Sequence, residues 1–314
     1  MRHRVKDYRA GDLEKRYQRL AIEEDCLVNY GFLPREHVAL MHPRQAKRVW
    51  DADTLHKAAD VLAYVQAHGP VQPRQIEQHF AQGNVTNYWG GSSSATTHLL
   101  DGMHYRGMLR VVRRDSGTRV YEAVAHPPTD DSPASRAQRA AALVALVVHK
   151  YAPLPAASLT YLVRLLGYGA PHLAPQIQTA LRLAKQELAS CQINGTTWYW
   201  PADENPASRR HTPDGAVRLL APFDPVVWDR RRFTLLWDWT YKFEAYTPAP
   251  QRKLGYYALP LLWHDRVIGW ANVTAPQGHM VVNFGYADKA PQGADFRAAL
   301  DDELQRMAYF LAAH

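Results

Sequence analysis

The densest run of chemistry-bearing residues lies between Arg218 and Lys253. Seven basic residues (Arg218, Arg230, Arg231, Arg232, Lys242, Arg252, Lys253) face four acidic ones (Asp224, Asp229, Asp238, Glu244). Trp228, Trp237, Trp239, Tyr241, Phe243, Tyr246 and, just beyond, Tyr256 are interleaved with them. Guanidinium and ammonium groups take phosphate oxygens, while aromatic faces stack on bases or wedge between them. The same composition also suits a β-rich core whose rings pack and whose arginines pair with acids. The balance favours core packing for the aromatics. It favours phosphate binding for Arg231, Arg232, Arg252 and Lys253, with Arg230, Lys242 and Tyr256 in the same candidate surface.

A second basic group, Arg110, Arg113, Arg114 and Arg119, surrounds a turn at Asp115, Ser116 and Gly117. Arginine at a hairpin tip can contact phosphates or enter a minor groove, although a solvated charged turn is the commoner fate. Just before it, "SATTHLLDGMHYRGM" offers His98, His104, Tyr105 and Arg106 as polar helix residues. That face is weakly basic, so it makes a poor reader of base edges, and a helix that packs a core explains it equally well.

Groups for bond-breaking chemistry are sparse. Asp224 and Asp229 flank Trp228 and could serve as an acid–base or metal pair. An Asp-Pro turn cap and an arginine-paired Asp are the more ordinary reading. The 15 histidines include no pair at ligand spacing on one helix face; His37 and His42 are five apart. Cys26 and Cys191 make neither a metal spacing nor a disulfide framework. Glycine-rich phosphate loops and nucleophile elbows are absent. The expectation is no metal and no cofactor.

The elements that would position these residues follow from periodicity and turn chemistry. "TLHKAADVLAYVQAHG" places Leu55, Ala58, Ala59, Leu62 and Val65 at helical spacing, and Gly69 stops it. "RQIEQHF" predicts a second helix. After the loop "GGSSS", Ser94 can cap a third, with Leu99, Leu100 and Met103 inward. "LRVVRRDSGTRVYEAV" reads as a hairpin. Beyond the Pro- and Asp-rich linker "HPPTDDSP" the order recurs: helices over 134–150, "ASLTYLVRLLGYG" and "APQIQTALRLAKQEL", then a hairpin around Asn194-Gly195, a pair suited to a type I′ turn. Three helices and a hairpin, twice over, predict tandem winged helix-turn-helix units at 54–125 and 134–201.

Residues 216–314 read as a β-rich domain with a terminal helix. Its strands are expected in "YKFEAYTP", "YYALPLLWHDRVIGWANV" and "HMVVNFGYAD", and Phe296, Leu300, Leu304, Met307 and Phe310 share one face of the helix over 294–313. Residues 1–53 suggest two helices, "GDLEKRYQRLAIEED" and "PREHVALMHPRQAKRVW", as the helical remnant of a first winged-helix unit. The fold class expected is α+β.

The chain has 314 residues, 46% of them hydrophobic, a net charge of +7 and a pI near 9.3. That supports two or three compact units and a polyanionic partner. No apolar run approaches the roughly 20 residues of a membrane span. The charged start "MRHRVKDYRAGDLEKR" is no signal peptide. A cytoplasmic, monomeric protein is expected.

"LLAPFDPVVWDRRR", "YKFEAYTPAPQRKLGYYALPLL" and "RVIGWANV" resemble the C-terminal half of the AlkZ-like winged-helix DNA glycosylases, a bacterial crosslink-repair family. Weaker resemblance runs back to "GFLPREHVALMHPR", so the similarity covers roughly residues 20 to 314. It implies winged helices and a β-domain around double-stranded DNA, damaged or intact, at the bacterial nucleoid. It further implies hydrolysis of the N-glycosidic bond of bulky alkylated purines, and unhooking of interstrand crosslinks, without metal or cofactor. In the family a Gln-apolar-Gln or Gln-apolar-Asp pair positions water and stabilises positive charge on the sugar. That pair belongs to a first winged helix, most of which this chain is expected to lack. Gln176-Ile177-Gln178 repeats the pattern, but in the third helix of the last winged unit, where it reads as helix surface. Val28 stands where the resemblance implies a histidine. The catalytic residues are therefore left unassigned. Three functions follow as alternatives: a glycosylase with a rearranged site, a non-catalytic DNA-binding protein, and a winged-helix protein-interaction or regulatory module.

Overall fold

A computed structural model describes residues 2–80, 84–86, 92–126 and 130–312. The fold is α+β and divides into two compact units, Leu13–His149 with Leu159–Leu188, and Met1–Asp12 with Lys150–Ser158 and Ala189–His314.

The first unit opens with a short helix α1 (Asp12–Arg16) and a 3-10 turn. An antiparallel hairpin follows, β1 (Ile22–Cys26) and β2 (Tyr30–Pro34), with Cys26 opposite Tyr30. The helix expected through "AIEED" is therefore corrected to a strand. Two acids of the segment are buried: Glu24 is 2% exposed and Asp25 3%. Glu24 accepts from Arg114 and Tyr30, and Asp25 from His42 and Arg44. Long-range partners have overridden local propensity. Helix α2 (Arg35–Ala39) stops well short of Trp50. Pro43 lacks an N–H and disfavours α geometry at the residue before it.

The next elements match the periodicity. Helix α3 (Ala52–His68) starts at Asp51, whose carboxylate accepts from Thr54 N at 2.8 Å, and ends at Gly69 with φ of 74°. Helix α4 (Pro73–Phe80), strands β3 (Asn84–Thr86) and β4 (Ser92–Ser94), helix α5 (Ala95–Tyr105) and the hairpin β5 (Leu109–Asp115) and β6 (Thr118–Ala123) complete the set. Gly90 and Gly91 of the expected loop lie outside the described residues, and its three serines pair as a strand. Ser94 donates to Glu77 at 2.9 Å instead of capping α5. Val61, Val65, Ile76, Leu100, Met103, Val111 and Tyr121 share one core. Leu55 stays exposed. Helices α6 (Pro133–Tyr151), α7 (Ala156–Gly169) and α8 (Ala174–Glu187) follow, with Leu143, Val147, Leu162, Leu166 and Ile177 buried. Of the linker, residues 127–129 lie outside the described residues.

In the second unit β7 (Leu154–Pro155), β8 (Ala189–Ile193) and β9 (Thr196–Trp200) form a sheet ordered β7-β9-β8. Asn194 and Gly195 have φ of 49° and 73°, as a type I′ turn requires. A four-stranded antiparallel sheet runs β10 (Val217–Leu219), β11 (Leu259–Trp263), β12 (Arg266–Thr274) and β13 (Val281–Tyr286) in that order. A turn at His264-Asp265 joins β11 to β12. Helices α9 (Pro225–Trp228) and α10 (Arg230–Trp237) lie between β10 and β11 in the chain, and α11 (Ala294–Leu311) ends it. Phe296 and Met307 pack with Val217, Leu219, Leu261 and Ala271. A neighbouring core gathers Leu220, Val227, Phe233, Tyr241 and Val267 against Trp237, Trp239 and Trp270.

Two expectations are corrected here. Residues 2–12 belong with the C-terminal elements rather than with residues up to 53. Ala10 N donates to Phe310 O at 2.9 Å, and Arg2 meets the buried Glu303 at 2.6 Å. "YKFEAYTP" is a loop, not a strand. Pro248 and Pro250 have no N–H for a ladder. The buried Glu244 carboxylate accepts from the backbone N–H groups of Lys253, Leu254 and Gly255 at 2.8, 2.7 and 3.3 Å, folding the segment onto itself. Burial opposes ionisation of Glu244, but these donors outweigh it and leave the carboxyl below its ordinary range.

Candidate nucleic-acid interface

The β5–β6 hairpin carries Arg113, Arg114 and Arg119 toward its tip and Arg110 near its open end, opposite Glu122, and each meets a carboxylate. Arg110 lies 2.7 Å from Glu122 and 3.2 Å from Glu23. Arg113 lies 3.0 Å from Asp115, and Arg114 2.5 Å from Glu24. Arg119 lies 2.6 Å from Asp101 and sits over the Tyr30 ring at 4.7 Å. The Glu24 hydrogen bond raises Arg114 further above the usual guanidinium range. Glu24 itself is held below the carboxylate range, because Arg114 outweighs the burial that opposes its charge. The positive charge at this tip is consumed within the unit. Composition could not reveal this, since Glu23 and Glu24 are 87 to 90 residues away in the chain.

Helix α5 offers less polar surface than expected. His104 is buried, its Nδ1 against Leu109 O at 3.1 Å and its ring beside Tyr30 and Tyr121. Tyr105 donates to Tyr168 O, and Arg106 lies over the Trp50 ring at 3.6 Å. His98 is exposed.

The C-terminal unit sorts its basic residues differently. Arg232 is 4% exposed and donates to Tyr151 O and Pro225 O; burial lowers its pKa. It is a structural brace, which corrects the expectation that it faces phosphate. Arg218 pairs with Asp214 at 2.6 Å. Arg230 donates to Pro222 O at 3.0 Å and stands over the Tyr241 ring at 4.3 Å, tying α10 to the loop over 238–258. Arg231, Lys242 and Lys253 are exposed and form no ion pair among the described residues. Arg252 donates to Thr247 O at 2.7 Å and lies over the exposed Tyr256 ring at 4.9 Å, with no acid partner among the described residues.

The carboxylates flanking Trp228 are structural. Asp224 accepts from Arg4 at 2.6 Å and caps α9 at Val226 N, and Asp229 caps α10 at the N–H groups of Arg231 and Arg232. Each buried carboxylate among the described residues already accepts hydrogen bonds from the protein. The aromatics divide. Trp239 and Tyr241 pack around Phe233 as expected, whereas Phe223, Tyr246, Tyr256 and Tyr257 are exposed. On α8 Gln178 is exposed and Ile177 buried, whereas Gln176 is half-buried, with its Oε1 shut off from solvent and without a hydrogen-bond partner among the described residues.

The α+β chain thus holds a glutamate-braced loop on which Lys242, Arg252 and Lys253, without ion pairs among the described residues, stand beside exposed aromatic rings. The family model described as DNA glycosylase AlkZ-like matches residues 1–310, and the chain belongs to this DNA-repair glycosylase family. Among solved structures, the Streptomyces sahachiroi DNA glycosylase AlkZ is similar, with 11% identity and a TM-score of 0.57. The match covers 96% of this chain and 82% of that one, a likeness of fold.

Proposed function

We propose that this protein binds duplex DNA carrying bulky alkylated purines or crosslinks, at the nucleoid, and acts chiefly in recognition. Arg231, Lys242, Arg252 and Lys253 supply the phosphate contacts. The observation that carries the reading is that these side chains form no ion pair among the described residues while the hairpin arginines are neutralised, in a chain belonging to a DNA glycosylase family. The helix–helix–helix–hairpin order over 54–125 and 134–201 supports a winged-helix scaffold for that binding.

Release of a cationic base needs an acceptor aimed at the sugar as positive charge develops. Glu24, Asp25, Asp224, Glu244 and Glu303 are engaged by their own surroundings, and Asp229 spends Oδ1 on capping α10 while its buried Oδ2 has no hydrogen-bond partner among the described residues. Incubation with an N7-alkylguanine duplex is therefore expected to leave the base in place, and multiple turnovers of release would overturn that part. Binding is tested by titrating a labelled duplex at several salt concentrations. Affinity that falls steeply with salt supports phosphate contacts; no binding at low salt refutes them and points to a protein partner.

A further inference from the structure

Five aromatic rings of the C-terminal unit touch one another at its surface. Phe243 is the hub. Its centroid lies 5.3 Å from Phe223, 5.3 Å from Tyr257 and 6.1 Å from Tyr246, with interplanar angles of 65°, 88° and 80°. Trp228 extends the group from Phe223 at 5.9 Å. These contacts are edge-on or tilted, so each covers at most one face of one ring and leaves the opposite face open to a further stack. Tyr246 is 92% exposed, Phe223 49% and Tyr257 42%. Scattered exposed apolar residues are ordinary on a protein surface, whereas a contiguous exposed group marks an interaction site. The nearby Trp239, Tyr241 and Trp270 show that this unit buries aromatics where burial is their role.

The platform is held ready. Glu244 ties the two halves of the loop together through three backbone N–H groups. Tyr241 donates to Ala258 O and Asn272 to Leu254 O, both at 2.7 Å. A braced surface loses little conformational freedom on binding. Lys242 and Lys253 stand exposed in the same loop, and Arg252 lies over the ring of Tyr256, next in the chain to Tyr257. Exposed rings beside cations that form no ion pair among the described residues complement a ligand that alternates planar bases with phosphates. Bases inside an intact duplex already have both faces stacked. We infer that the platform binds unpaired nucleobases of single-stranded or gapped DNA, stacking them on Tyr246, Tyr257 and Phe223 while Lys242, Arg252 and Lys253 hold the backbone. This rests on the DNA-binding reading above and adds the strand state that is recognised.

The test compares a labelled 12-nucleotide thymidine strand, a duplex with a three-nucleotide gap and a blunt duplex, by fluorescence anisotropy on the full chain. Tyr246→Ala and Tyr257→Ala should each weaken binding of the single strand and the gapped duplex on the order of 5- to 150-fold. They should leave the blunt duplex unaffected. Tyr246→Trp should restore binding, which a merely structural role would not predict. 2-Aminopurine placed in the gap should be quenched by the parent protein and not by Tyr246→Ala. Tyr246 is so exposed that its removal leaves the fold intact, as a thermal melt will show. Unchanged single-strand and gap affinity in the Tyr246→Ala/Tyr257→Ala double variant, with salt-sensitive duplex binding retained, refutes this inference alone. Failure of the parent protein to bind any of the three DNAs refutes both readings.

Discussion

Replacing Lys242 and Lys253 together by glutamine removes two exposed cations that have no acid partner among the described residues. Neither side chain braces the fold, so stability should stay within about 0.5 kcal/mol of the parent. Each phosphate neutralised on duplex DNA contributes about −0.9 to the slope of log affinity against log salt. Contacts from Arg231, Lys242, Arg252 and Lys253 therefore give a slope of about −3.6, and affinity falls about 150-fold between 50 and 200 mM salt. With the two lysines gone the slope should be about −1.8 and the loss about 12-fold over the same range. Anisotropy of a labelled 20-base-pair duplex at four salt concentrations measures both lines. Parallel lines would show that these lysines do not contact phosphate and would refute the assignment of the loop as the DNA-binding element.

Three further outcomes follow. Arg114→Gln leaves Glu24, whose side chain is 1% exposed, without its ion-pair partner; urea denaturation should show a loss of about 3 kcal/mol while the salt slope of DNA binding stays unchanged. Burial opposes ionisation of Asp25, but its hydrogen bond to His42 and the charge of Arg44 outweigh it and hold the carboxyl at about 2 against an ordinary 3.8. The stabilisation is thus complete above about pH 4 and is lost as pH falls toward 2, so the acid limb of a stability–pH curve should flatten there in Asp25→Asn. Glu244→Gln weakens the clasp on Lys253, Leu254 and Gly255, costing about 1–3 kcal/mol, and hydrogen exchange over residues 242–257 should quicken; unaltered exchange would show that the loop is braced by other contacts.

What the sequence shows best is whatever local chemistry decides. Asn194-Gly195 announces a turn because both residues tolerate positive φ, and α3 announces itself by spacing and by Gly69. The motifs around "PFDPVVWDRRR" carry the family, which the match over residues 1–310 bears out. Partnership at a distance is what stays hidden. Glu24 and Asp25 read as helix residues until Arg114, His42 and Arg44 arrive from elsewhere in the chain. For the same reason Arg232 looks like its neighbour Arg231, although one is buried against backbone carbonyls and the other faces solvent. Tyr246 and Phe243 read as strand residues because alternation cannot foresee a carboxylate that draws three N–H groups away from a ladder.

The joining of residues 2–12 to the C-terminal unit sets an order of events during synthesis. Arg2, Arg4 and Ala10 are translated early, yet their partners Glu303, Asp224 and Phe310 follow more than 200 residues later. At about 5–20 residues per second the segment waits roughly 15–60 s for α11 to emerge. A nascent chain stalled before α11 should therefore leave residues 2–12 open to protease, and synthesis past α11 should close that window.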